Sequence, residues 1–135
     1  MPRIQPGPRK GRPGHTSDTA PGAWEGRVRL WIDIDGRNAL GSGKVRLLDA
    51  IAATKSLSAA AKQLRMSYRL AWEHLRMLEE RTGLTVVERQ RGGRSGGGTE
   101  LTPQGKALLA AFHSFRQEVE EHVRSACRRH FARWS

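Results

Sequence analysis

The stretch from Ser56 to Gly83, SLSAAAKQLRMSYRLAWEHLRMLEERTG, carries the clearest pattern in the chain. Ala60, Ala61 and Leu64 share one face of a short helix, AAAKQLR, for which Ser58 is the candidate N-cap. Ser67 is the candidate cap of a longer second helix, because a serine oxygen accepts from a backbone N–H that has no intrahelical partner. Ala71, Leu75 and Leu78 then recur at steps of four and three, a helical period with one buried side. The opposite side, Tyr68-Arg69 through Glu73 and Arg76, is polar and mostly basic. Small alanines at the crossing let two helices approach closely, as a helix-turn-helix requires.

The flanking patterns extend this unit. Val28 to Asp35, VRLWIDID, alternates with period two and predicts a half-buried strand ended by a Gly36-Arg37-Asn38 turn. Ser42 is the candidate N-cap of a helix through KVRLLDAIAAT, with Leu47, Leu48, Ile51 and Ala52 inward. After Gly83, LTVVERQR and TELT flank a tip, GGRSGGG, whose five glycines permit close backbone approach to a ligand. Two strands around that tip predict a β-hairpin wing, made cationic by Arg89, Arg91 and Arg94. Thr102 caps the last helix, and Pro103 occupies its first position, where a missing N–H is harmless. From Pro103 to about Arg129, Leu108, Phe112, Phe115, Val119 and Val123 form a seam of coiled-coil type. The expected fold is mainly α with a small β-hairpin wing: a winged helix-turn-helix with a long C-terminal dimerisation helix.

Three segments follow from this: a basic tail over 1–26, the winged helix-turn-helix over 27–102, and the helical segment 103–135. The tail is rich in Pro and Gly and poor in large apolar residues, which predicts disorder. Its Arg3, Arg9, Lys10 and Arg12 suit a DNA backbone or minor groove, and equally a solubilising tail or an overlong gene start.

Composition narrows the function. The 135 residues hold 24 Lys+Arg against 13 Asp+Glu, a net +11, and 19 of the cations are Arg. Such an excess favours a polyanionic partner through counterion release from phosphates. One Cys excludes a disulfide framework within the chain and suits a reducing compartment. No apolar run reaches membrane-spanning length and no signal-peptide core is present, so a cytoplasmic protein without a membrane partner is expected.

Several tempting chemistries fail on inspection. Asp33 and Asp35 lie on one exposed strand side near Arg29 and Arg37, which reads as a solvated, salt-bridged face rather than an acid/base pair. Gly41-Ser42-Gly43-Lys44 lacks the first Gly and final Ser or Thr of a phosphate-binding loop, having Asn38 and Val45 there. His122, Cys127 and His130 do not follow a zinc spacing, and His74 reads as a surface residue. Neither catalytic machinery nor a cofactor is expected.

The same motifs carry a resemblance. The S-x-S-A-A-A opening, M-S-Y-R, LEERTG, the Gly-rich GGRSGGG and the closing L-T-P-x-G stand here in order, preceded by LWIDIDGRNALGSGKVRLLDAI. Over about Val28 to Phe115 the chain resembles the N-terminal DNA-binding domain of the ModE family of molybdate-responsive bacterial regulators, and more distantly the helix-turn-helix of LysR-type regulators. Arg65 departs from the Gly often found at the inter-helix turn in that family, where a positive φ strains a side chain. The resemblance implies a bacterial transcription regulator linked to molybdate uptake or molybdenum-cofactor genes. ModE proteins carry C-terminal molybdate-binding domains, whereas this sequence stops at Ser135. The expectation is therefore a stand-alone regulator, either constitutive or signalled through a separate sensing partner.

The expected partner is double-stranded DNA, bound by a homodimer paired through the 103–129 helix. Ser67 and Tyr68 would meet phosphate or base edges, and Arg69 would fork onto guanine O6 and N7. Lys62 and Arg65 would clamp phosphates, and Arg91 and Arg94 would hold the wing to backbone or minor groove. Trp72 is read as a core plug. The alternative is a winged-helix adaptor that binds protein without sequence-specific DNA recognition.

Overall fold

The computed structural model describes residues 22–90 and 98–134. Its elements run β1 (Trp31–Ile34), β2 (Arg37–Gly41), α1 (Ser42–Thr54), α2 (Leu57–Gln63), α3 (Tyr68–Thr82), β3 (Val87–Arg89), β4 (Thr99–Leu101) and α4 (Pro103–Phe131), followed by a 3-10 turn, Ala132–Trp134. The architecture is the expected winged helix-turn-helix, with a long closing helix.

The first hairpin was only half anticipated. β1 pairs antiparallel with β2, Ile34 opposite Arg37. The reversal is made by Asp35 and Gly36, with φ of 50° and 75°. Two positive φ values in a two-residue loop define the turn whose twist matches its strands, and Asp-Gly is its preferred sequence. The expected Gly36-Arg37-Asn38 turn is thus displaced one residue back, and Arg37 and Asn38 are strand residues. Asp33 and Asp35 are exposed as expected, yet neither makes an ion pair among the described residues.

Three helices close the core. Val45, Leu47, Leu48 and Ile51 of α1, Ala60 and Ala61 of α2, and Ala71, Leu75 and Leu78 of α3 pack with Val86, Leu101, Leu109 and Phe112. Ala52, expected inward, is exposed. The caps divide into correct and shifted positions. Ser67 Oγ accepts from Leu70 N and Thr102 Oγ1 from Gly105 N, as expected. For α2 the cap is Ser56, whose Oγ accepts from Ala59 N, and Ser58 lies inside the helix, exposed. Buried Leu57 is the reason: starting the helix at Ser56 puts Leu57, Ala60 and Ala61 on one inward stripe. For α1, extended Gly41 is the N-cap without any side-chain bond, and Ser42 is already helical.

The wing is shorter than LTVVERQR suggested. Among the described residues the ladder is Val87–Arg89 with Thr99–Leu101, flanked by Gln90 N donating to Gly98 O and Thr102 N to Val86 O, while Val86 is drawn into the core and its own N–H is taken by Glu79 Oε2 at 2.7 Å. Thr99 N donates to Lys55 O at 3.0 Å, which roots the wing at the end of α1. The first turn of α4 presses on the same region: a Cβ on Gly105 would stand 2.1 Å from Val86 O.

In α4 the buried stripe is Gly105, Leu109 and Phe112, with Leu108 only half-buried. The seam expected from Leu108 is therefore rotated one position where the helix meets its own domain. His113 fastens the two: Arg116 Nη2 donates to His113 Nδ1 at 2.8 Å, which leaves Nε2–H to donate to Asp49 Oδ1 on α1 at 2.9 Å. Past this point the chain preceding β1 runs alongside α4. Gly26 sits so close that a Cβ would be 3.0 Å from both Val123 and Cys127 side chains. Trp24 stacks on Phe131 and Trp134, with ring centroids 5.5 and 5.9 Å apart.

Candidate nucleic-acid interface

The α2–turn–α3 unit presents a continuous polar surface. Lys62, Arg65, Ser67, Tyr68 and Arg69 are all exposed and follow one another across the turn. The turn works despite lacking glycine: Arg65 adopts φ 55°, while Arg65 N donates to Lys62 O and Met66 N to Ala61 O. These bonds close the end of α2 and hold Arg65 in a conformation that side chains adopt at some cost. Met66 and Leu64 pack on the core beside it, so the turn is anchored from below.

At the start of α3, Ser67 is committed to its capping bond, which leaves its backbone and Tyr68 and Arg69 as the groups facing outward. Arg69 is the most exposed, its side chain 90% accessible, with Glu73 3.6 Å away. A pair this exposed is worth little, so parting from Glu73 costs the guanidinium little. Arg76 and Glu80 repeat the arrangement one turn on, at 3.7 Å. An open groove of about 400 Å³ runs along this face, lined by Tyr68, Arg69, Trp72, Glu73 and Arg76.

Tyr68 and Trp72 are less simple than expected. Trp72 is half-buried against the core, in keeping with a packing role, but its outer parts join a polar cluster. Its Nε1 donates to Tyr68 Oη at 3.1 Å, and Arg89 Nη2 donates to the same oxygen at 3.1 Å. The Arg89 guanidinium also lies over the Trp72 ring, 4.9 Å from the centroid. Arg89 was not among the residues expected to contact DNA. The available signal was an i, i+4 pair of aromatics on α3 facing the root of a cationic wing. Arg91 and Arg94 lie outside the described residues.

One cation is buried rather than displayed. Lys44 is 8% exposed, and its Nζ is 3.4 Å from Asn38 Oδ1, while Arg81 Nη1 donates to Asn38 O at 2.7 Å. Burial, and secondarily the nearby Arg81 charge, lower the Lys44 pKa from its ordinary value. No group of three or more His, Cys, Asp or Glu residues able to hold a metal ion occurs among the described residues, His122, Cys127 and His130 included. Nor is any described helix long and apolar enough to cross a membrane.

Residues 43–106 match the family model described as bacterial regulatory helix-turn-helix protein, lysR family. The chain is 35% identical over 93 residues to the molybdenum transport protein ModE of Azotobacter vinelandii, an overlap of 69% of this chain and 34% of that one. It is 35% identical over 99 residues to the molybdenum-pterin-binding protein MopB of Rhodobacter capsulatus, or 73% of this chain and 37% of that one. The chain thus spans little more than a third of the length of these relatives. Among solved structures, the BenM DBD in its complex with benA site 1 DNA is similar at TM-score 0.50 and 22% identity, covering 66% of this chain and 94% of that one, a likeness of fold.

Proposed function

From a LysR-type bacterial regulatory helix-turn-helix at residues 43–106, related in sequence to ModE, we propose that this chain is a sequence-specific DNA-binding transcription regulator. The observation that supports it most is the exposed run Lys62, Arg65, Ser67, Tyr68 and Arg69 at the turn and first turn of α3, on a chain of net charge +11. In this reading α3 enters the major groove and Arg69 leaves Glu73 to make a bidentate contact with guanine. Lys62 and Arg65 hold phosphates on either side, and Arg91 and Arg94 serve the wing. Segment 27–102 is the DNA-binding unit and 103–135 the pairing helix. The kinship with the molybdenum transport protein ModE and the molybdenum-pterin-binding protein MopB points to genes of molybdenum transport or use as the regulated set. The chain supplies the DNA-binding step, either constitutively or under a separate sensing partner.

A homodimer through α4 belongs to the same proposal. Phe115 is 38% exposed, Val119 is half-buried, and a two-fold protein reads paired half-sites. Sedimentation at micromolar concentration that finds monomer only would end it.

Fluorescence anisotropy with the duplex upstream of the gene and a scrambled duplex, across a salt series and with or without molybdate, tests the whole. Preference for the native duplex of about a thousandfold at moderate salt supports a sequence-specific regulator. Equal, steeply salt-dependent binding to both would reduce the protein to a generic polycation. Arg69→Ala should cost about 1–3 kcal/mol at the cognate site and relax specificity there.

A further inference from the structure

The Tyr68 hydroxyl sits at the junction of α3 and the wing with two donors on it, Trp72 Nε1 and Arg89 Nη2, each at 3.1 Å. Neither nitrogen can accept: an indole N–H has no lone pair to offer, and a guanidinium stays protonated in a protein. A phenolic oxygen offers two acceptor positions and one proton. Both acceptor positions are therefore occupied, and what the hydroxyl has left for anything outside the chain is its proton. Tyr68 is 47% exposed and is the first residue of α3, so an external group has access to it.

From this count we propose that Tyr68 acts in DNA recognition as a donor only, to a phosphate oxygen or to a base-edge acceptor such as guanine O6 or N7, adenine N7 or thymine O4. Arg89 is then a positioning residue. It is held over Trp72 and against Tyr68, fixes the wing root to α3, and occupies the lone pair that would otherwise let Tyr68 accept from a cytosine or adenine amine. This assignment rests on the DNA-binding reading above and separates Arg89 from the wing arginines that would touch DNA themselves.

The test uses the wild type, Tyr68→Phe, Arg89→Ala and the double variant. Their binding to native and scrambled duplexes is measured across a salt series. In parallel, the Trp72 indole N–H resonance, assigned through Trp72→Phe, is followed without DNA. Tyr68→Phe should weaken native-duplex binding about tenfold, the loss of a hydrogen bond with a strong acceptor. An equal loss on the scrambled duplex identifies a phosphate oxygen, and a loss confined to the native duplex identifies a base edge. Arg89→Ala should cost about tenfold alone but at most about twofold in the Tyr68→Phe background, since the pair acts as a unit. Its salt slope should match the wild type.

Additive losses with a slope shallower by about one would make Arg89 a direct phosphate ligand and overturn the proposal. So would wild-type affinity in Tyr68→Phe. In the free protein, both substitutions should move the Trp72 indole resonance, and an unmoved resonance in Arg89→Ala would show that the cluster does not form. Failure of the wild type to bind any duplex would remove the DNA reading, while the indole resonance would still decide whether the cluster exists.

Discussion

The helix-turn-helix and the far half of α4 treat apolar surface differently. Leu47, Leu48, Ile51, Leu75 and Leu78 are at most 1% exposed, whereas no residue of α4 beyond Phe112 is buried. The first region closes on itself with three helices and the root of a wing. Among the described residues, the second has residues 24–28 and the terminal 3-10 turn beside it, and Val119 and Val123 remain half-buried and Phe115 open. Protomer stability therefore resides in the first region, and the second is where a partner would add most.

Substitutions sharpen that contrast in order of size. Leu47→Ala should destabilise the protein by about 3 kcal/mol, because Leu47 is fully buried in the core cluster and its surroundings relax only partly into the cavity. Urea unfolding measures it, and a cost under a third of that would show a softer core than the packing implies. Gly105→Ala should cost about 2 kcal/mol or more, since its Cβ would be forced into the Val86 carbonyl and push α4 off the wing root. Ser67→Ala should cost about 1 kcal/mol for the lost cap, and Ser42→Ala, which removes no cap, close to nothing.

Lys44→Met should instead stabilise by about 1 kcal/mol at neutral pH, by removing a charge that is buried beside Arg81 and answered only by a neutral amide. The sign with pH follows from the lowered pKa. Below the folded value Lys44 is charged in both states and the penalty is full. As pH rises from that value towards 10.5, the folded protein sheds the proton first and the wild type gains on the variant. Wild-type and variant stabilities that run parallel across that window would show no buried charge. Smallest of all, Phe115→Glu should change protomer stability by less than about 0.5 kcal/mol, as an exposed substitution does, while lowering the sedimenting mass if α4 pairs.

Much of this division was legible in the sequence. Ala71, Leu75 and Leu78, and the caps Ser67 and Thr102, could be read because each depends on neighbours within four residues. What went unread depended on contacts across the chain. The cap of α2 moved to Ser56 because burial of Leu57 sets the helix phase, and the α4 stripe moved to Leu109 because the wing root fixes its angle. β2 was missed for a different reason: Asp35-Gly36 was a local signal, obscured by reading the Gly as the beginning of the turn instead of its second half. At the candidate interface, Lys62, Arg65, Tyr68 and Arg69 are legible from position alone, whereas Arg89 becomes visible only when wing and α3 are in place.

The 29 residues of α4 make it a rod of about 43 Å, and every residue along it advances the azimuth by about 100°. It is thus a gear as well as a spacer. One residue inserted after Arg116 would turn Val123 and Cys127 away from Gly26 and swing the aromatic end around the axis by more than a quarter turn. Seven inserted residues would restore the azimuth to within about 20° and lengthen the rod by about 10 Å. If two copies mesh along this rod, its tooth count sets the separation and relative rotation of their α3 helices. The spacing of operator half-sites would then be written in the length of a helix outside the α2–α3 unit.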